Sequence, residues 1–130
     1  MESPDKPRIL IVDDENDILL LVRTSLKDEY EVETSNSGAD ALAMCMAIPP
    51  DLIILDMMMP EMDGMEVLEE IRRMPETAAT PVIFLTGISD KAKVREALDK
   101  GTQYYITKPF KHQDLLNKVQ MALQEAKQGR

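Results

Sequence analysis

Asp13 and Asp14 directly follow Arg8-Ile-Leu-Ile-Val12, and Asp56 directly follows Leu52-Ile-Ile-Leu55. Unbroken short runs of Val, Ile and Leu bounded by polar residues are the pattern of strands buried on both faces of a parallel sheet. These carboxylates therefore collect at strand ends. Thr86 closes a further run, Pro81-Val-Ile-Phe-Leu85, and Lys108 follows the last strand-like stretch. In a parallel sheet all five side chains converge at one edge, where open α/β sheets bind ligands. Carboxylates that close repel, since two unit charges about 4 Å apart cost about 4 kcal/mol at an effective dielectric of 20. Lys108 offsets part of this, and a hard divalent cation with oxygen preferences offsets the rest. Mg²⁺ is usually held by one or two carboxylates together with waters and a phosphate. The expected chemistry is phosphoryl transfer, in which one carboxylate attacks phosphorus, cation and ammonium neutralise the moving oxygens, and a hydroxyl donates a hydrogen bond.

Positioning such a set requires five strand-helix repeats. Strands are predicted near 8–12, 31–35, 51–55, 81–85 and 103–106; the second, Glu31-Val-Glu-Thr-Ser35, alternates as an edge strand does. Helices are predicted over about 15–28, 37–47, 64–74, 89–100 and 111–126. Ser37, Asp63 and Ser89 stand where N-caps belong, and Gly101 where the fourth helix should stop. Leu115, Leu116, Val119, Ala122 and Leu123 make one apolar stripe on the last helix. Right-handed crossovers then give an α/β, flavodoxin-like, doubly wound five-stranded parallel sheet in the order 2-1-3-4-5 with five helices.

At 130 residues the chain is expected to form a single domain over 1–130, with an ordered core at about 7–126. The net charge of -9, from 24 acidic and 15 basic residues, and the lack of a dense Lys/Arg stripe argue against direct nucleic-acid binding. Apolar runs of about five residues fall far short of the roughly twenty needed to span a bilayer, so no membrane segment is expected. The N-terminus lacks the basic and apolar regions of a signal peptide, and the single cysteine, Cys45, has no disulfide partner. A cytoplasmic protein is expected. Cys45 reads as a small buried apolar side chain and His112, the one histidine, as a solvated helix-opening residue. Met57, Met58, Met59, Met62 and Met65 read as core and loop packing in preference to a soft-metal site.

The segments Ile11-Val-Asp-Asp-Glu15, Leu55-Asp-Met-Met-Met-Pro60, Asp63-Gly64, Leu85-Thr-Gly87 and Lys108-Pro-Phe110, in this order and spacing, resemble the receiver domain of bacterial response regulators. The resemblance runs over nearly the whole chain. It implies that Asp56 accepts a phosphoryl group from a sensor histidine kinase or a histidine phosphotransfer protein. It further implies that Asp13 and Asp14 organise Mg²⁺, with Asp56 and the Met58 backbone carbonyl as further ligands, and that Thr86 and Lys108 bind the phosphoryl oxygens. Pro109 is expected after a cis bond that aims Lys108 inward. Tyr105 matches the family's switch aromatic, with Tyr104 its rival should the register slip by one. On phosphorylation Thr86 should move toward the new oxygens and Tyr105 turn inward, altering the surface of the fourth helix, fifth strand and fifth helix, where an unknown downstream partner or a second phosphorylated copy would dock.

In the family that the chain resembles, the positions two after the phosphoacceptor and two after the threonine usually tune phosphoryl lifetime; here they are Met58 and Ile88. Met58 and Ile88 cannot hydrogen-bond a hydrolytic water, which predicts slow self-dephosphorylation, and Gly87 leaves space beside Thr86 for phosphodonors. The first helix has five consecutive apolar residues, Ile18 to Val22. With Ile18, Leu21, Val22 and Leu26 facing the sheet, Leu19 and Leu20 are left as part of a docking patch for a helical phosphodonor.

Other functions fit less well. An aspartyl-phosphate phosphatase of the haloacid-dehalogenase type wants a second aspartate where Met58 stands. A flavin module wants a Ser/Thr/Gly-rich loop where Asp13-Asp-Glu-Asn-Asp17 would repel a flavin phosphate. A pseudo-receiver scaffold is disfavoured because no key side chain is missing. The expected activity is therefore a switch that catalyses only its own phosphoryl transfer and dephosphorylation, not an enzyme with independent turnover.

Overall fold

The structure is a computed structural model that describes residues 6–87, 91–99 and 104–128. Five strands alternate with five helices: β1 Arg8–Val12, α1 Asn16–Leu26, β2 Glu31–Ser35, α2 Gly38–Ala47, β3 Leu52–Asp56, α3 Gly64–Arg73, β4 Val82–Thr86, α4 Lys91–Asp99, β5 Tyr104–Thr107 and α5 His112–Gln128. The strands form one parallel sheet in the order β2-β1-β3-β4-β5. This is the flavodoxin-like arrangement expected, with β2 at an edge. The observed strands start within a residue of the predicted ones.

The period-two geometry of a strand sorts the apolar runs onto two faces. Leu10, Val12, Ile53, Leu55, Val82 and Phe84 pack with Ala41 and Cys45 of α2 and Val67, Leu68 and Ile71 of α3. Ile9, Ile11, Leu52, Ile54, Ile83, Leu85 and Ile106 face the other way, against Leu19, Val22 and Leu26 of α1 and Leu115, Val119 and Ala122 of α5. Each fully buried Leu or Ile is worth about 1.5–3 kcal/mol, and a one-residue slip would exchange the two sets. Register is thereby fixed, and with it the alignment of the strand ends.

Capping sets two helix starts. The Ser37 side chain accepts from Asp40 N–H at 3.2 Å. Asp63 and Glu66 form a reciprocal capping box, each carboxylate accepting the other's N–H at 3.0 Å, which satisfies two otherwise orphaned donors. The expected caps Ser89 and Gly101, the lifetime position Ile88 and the predicted strand start at 103 lie outside the described residues. The stripe on α5 is as read, with Leu116 and Leu123 partly buried beside the three core residues. Cys45 is buried and His112 exposed.

The phase of α1 differs from the sequence reading. Leu19 is 8% exposed and packs in the core, whereas Leu21 is 49% and Leu20 65% exposed. The buried set Leu19, Val22 and Leu26 keeps the i, i+3, i+7 spacing of a helix face, rotated one step from the expected stripe, with Ile18 at its border. Five apolar residues in succession leave the helix phase undetermined until the sheet is in place. Among the described residues no helix is long and apolar enough to cross a membrane.

Candidate functional site

The ends of β1, β3 and β4 bring Asp13, Asp56 and Thr86 together, all three buried. Pairing of Val12 with Leu55 and of Asp56 with Leu85 places the carboxylates side by side. Asp13 N–H donates to the Ser35 carbonyl at 3.1 Å, extending the sheet pattern past β1, and Asp13 Oδ1 accepts Glu15 N–H at 2.9 Å where α1 begins. Asp14 is exposed beside them. One carboxylate oxygen from each of Asp13, Asp14 and Asp56 lies within 4.8 Å of the other two.

Lys108 reaches this cluster from the far side. Its Nζ lies 3.0 Å from Asp13 Oδ2 and 3.2 Å from Asp56 Oδ1, and Lys108 N–H donates to the Thr86 carbonyl at 2.8 Å. The Lys108–Pro109 bond is cis, as expected. Burial draws the ammonium pKa down, but hydrogen bonding and charge from Asp13 and Asp56 outweigh it and raise the group overall. Asp56 shows the opposite balance. Burial and the charge of Asp13 push its carboxyl up to about 7, against the lowering pull of Lys108. One lysine does not neutralise three carboxylates.

The donor set fits a hard divalent cation. The side chains that would hold it offer carboxylate oxygens, and the buried Asp13 Oδ2 is met by the Lys108 ammonium at 3.0 Å, which Asp56 shares. Buried charge left uncompensated is costly, and a divalent cation held by Asp13, Asp14 and Asp56 would supply the positive charge that one lysine does not.

Gly64, which the sequence reading carried only as part of a motif, has a steric role at the site. A Cβ there would lie 2.5 Å from the Asp56 carbonyl and 2.8 Å from Phe84 Cε1, so only glycine lets α3 approach the end of β3 this closely. Its N–H donates to the Met57 carbonyl at 2.9 Å, and Met57 N–H donates to the Leu85 carbonyl at 3.0 Å. These bonds fix the chain after Asp56. Among the described residues nothing lies within 4 Å of a Cβ added at Gly87.

Thr86 Oγ1 donates to the Gly87 carbonyl at 3.2 Å. Tyr105 on β5 is 42% exposed, and its strand partner is Phe84. Its rival Tyr104 packs against the α1 and α5 core and donates to Glu125 of α5; burial and that carboxylate push its phenol up to about 12. Of the five methionines between positions 57 and 65, Met57, Met59 and Met65 are buried packing residues, Met62 is partly buried, and Met58 is exposed.

Residues 9–120 match the family model of the response regulator receiver domain. The chain is 38% identical over 129 residues to the transcriptional regulatory protein ResD of Bacillus subtilis, covering 98% of this chain and 52% of that protein. It is 36% identical to the sensor histidine kinase TmoS of Ectopseudomonas mendocina, covering 88% of this chain and 12% of the kinase. The crystal structure of the Vibrio cholerae chemotaxis protein CheY4 superposes with a TM-score of 0.85 at 34% identity, over 90% of this chain and 98% of that one. The chain spans about half the length of the regulator ResD.

The chain belongs to the response regulator receiver domain family. Domains of this class act in two-component signal transduction as phosphorylation-dependent switches and bind Mg²⁺ at the acidic pocket that Asp13, Asp14 and Asp56 form here.

Proposed function

We propose that this receiver takes a phosphoryl group onto Asp56 from a phosphohistidine of a sensor kinase or phosphotransfer protein in the cytoplasm, and thereby alters its α4-β5-α5 surface. The observation that carries this reading is Lys108 Nζ held within 3.2 Å of two buried carboxylates at the sheet edge. An Asp56 carboxylate oxygen attacks phosphorus, an O–P bond forms, and the donor N–P bond breaks with its electron pair leaving on the imidazole nitrogen. Lys108 stabilises charge on the moving oxygens, and Thr86 exchanges its 3.2 Å bond to the Gly87 carbonyl for a phosphoryl oxygen. Asp13, Asp14, Asp56 and the Met58 carbonyl would hold Mg²⁺. The bound cation supplies further charge neutralisation and keeps the Asp56 carboxyl ionised.

Movement of Thr86 leaves room for the exposed Tyr105 to turn inward. Shifting such an equilibrium from 1:99 to 99:1 takes about 5.5 kcal/mol, more than one phosphoryl clamp readily supplies, so a downstream partner or a second phosphorylated copy contributes the remainder. The chain catalyses only its own phosphorylation and dephosphorylation. Exposed Leu20 and Leu21 on α1, in place of Leu19 and Leu20, form the apolar patch offered to a helical phosphodonor.

Intact mass after incubation with Mg²⁺ and acetyl phosphate tests the reading. One added phosphoryl group, absent with chelator and in Asp56→Ala, is expected. No gain in a folded, Mg²⁺-binding protein would instead favour a scaffold that phosphorylation does not regulate.

A further inference from the structure

Met58 differs from its neighbours in sequence. It is 56% exposed, while Met57, Met59 and Met65 are buried. It stands two peptide units past Asp56, so its Cα is at most about 7 Å along the chain from that of the phosphoacceptor. The bonds from Met57 to Leu85 and Gly64 hold this segment in place. Oxidising Met57 or Met59 would put a polar sulfoxide into the core and break packing. Met58 is outside the core, so the same change there leaves core packing intact while adding a hydrogen-bond acceptor two residues from the reacting carboxylate.

We propose that Met58 is a peroxide-sensitive modification site that sets the lifetime of the phosphoryl group, an inference that rests on phosphorylation of Asp56. The sulfur lone pair attacks one oxygen of hydrogen peroxide, an S–O bond forms as the O–O bond breaks, and the departing hydroxide takes the proton of the new S–OH group and leaves as water. The thioether loses two electrons and the peroxide gains them. The thioether shields the acyl phosphate and orients no water; the sulfoxide oxygen accepts a hydrogen bond from a water and directs it at phosphorus. Sulfoxide reductases reverse such a change, so the site registers oxidant without loss of the fold.

The test treats the unphosphorylated full chain with graded hydrogen peroxide, maps each methionine by peptide mass, and then follows decay of the acetyl phosphate-labelled protein. Met58 should convert along with exposed Met46 and Met121 and well before Met57, Met59 and Met65. The phosphoryl half-life should fall several-fold in proportion to Met58 conversion. Met58→Leu keeps the main-chain carbonyl but has no sulfur, and its half-life, whatever its starting value, should not respond to peroxide. An unreactive Met58, an unchanged half-life at full conversion, or an equal response in Met58→Leu overturns the proposal. If untreated protein takes no phosphoryl group, the phosphorylation reading fails and the lifetime role fails with it, while the order of methionine conversion is still read.

Discussion

Lys108 Nζ lies 3.2 Å from Asp56 Oδ1, a contact between residues 52 apart in the chain. It joins the end of β3 to the loop after β5, and the same ammonium also faces Asp13. Lys108→Ala leaves those carboxylates without their cation and removes charge stabilisation from the transfer. Loss of one preorganised electrostatic donor typically costs about 10²–10³ in rate, so the initial rate of labelling by acetyl phosphate should drop by about that factor. Mg²⁺ affinity should rise, because a competing positive charge is gone; titration calorimetry checks it.

The Asp56 carboxyl, pushed to about 7 from its ordinary 3.8, mainly by burial, gives stability a definite pH slope. Between those values the metal-free folded state holds a proton that the unfolded chain has released. Stability in chelator should therefore fall as pH rises from about 4 to about 7 and level off above. Asp56→Asn removes this ionisation and should flatten that limb, leaving the variant the more stable protein at pH 8. Urea melts across pH decide it, and parallel profiles for the two proteins would be incompatible with the raised carboxyl.

The same proton links to the cation. Binding needs the ionised carboxylate, so Mg²⁺ affinity should gain about tenfold per pH unit below about 7 and become flat above it. A pH-independent affinity between 5 and 7 would remove Asp56 from the ligand set.

Gly64→Ala forces a Cβ against the Asp56 carbonyl and Phe84 and should cost about 1–3 kcal/mol, as overpacking does, with impaired labelling. Gly87→Ala meets no atom of the described residues and should stay within about 0.5 kcal/mol of the parent. Denaturant midpoints compare the two.

On α1, Leu19→Ala should cost about 2–5 kcal/mol as a core truncation, whereas Leu20→Ser with Leu21→Ser should leave stability nearly unchanged. The double variant should slow transfer from a phosphohistidine protein but not from acetyl phosphate. Equal rates with both donors would remove the docking patch.

These last residues also mark where sequence reading reaches its limit. The sheet and its order were legible because buried parallel strands demand unbroken runs such as Ile9 to Val12 and Leu52 to Leu55, and because each run ended on a residue with evident chemistry. Asp13, Asp56, Thr86 and Lys108 thus met where expected. The α1 phase was not legible, since Ile18 to Val22 satisfy several helix faces equally and tertiary packing chose Leu19 over Leu21. The need for glycine at 64 was hidden too, because it depends on atoms of Asp56, Met57 and Phe84 from distant segments.

The central claim is most directly tested by trapping the phosphoryl group at its residue. Protein labelled with acetyl phosphate and Mg²⁺ is reduced with borohydride, which converts an aspartyl phosphate to homoserine, and digested for peptide mass mapping. Homoserine at position 56, absent without donor or with chelator, is the predicted result. An unmodified Asp56, or reduction mapped to Asp13 or Asp14 instead, would contradict the account.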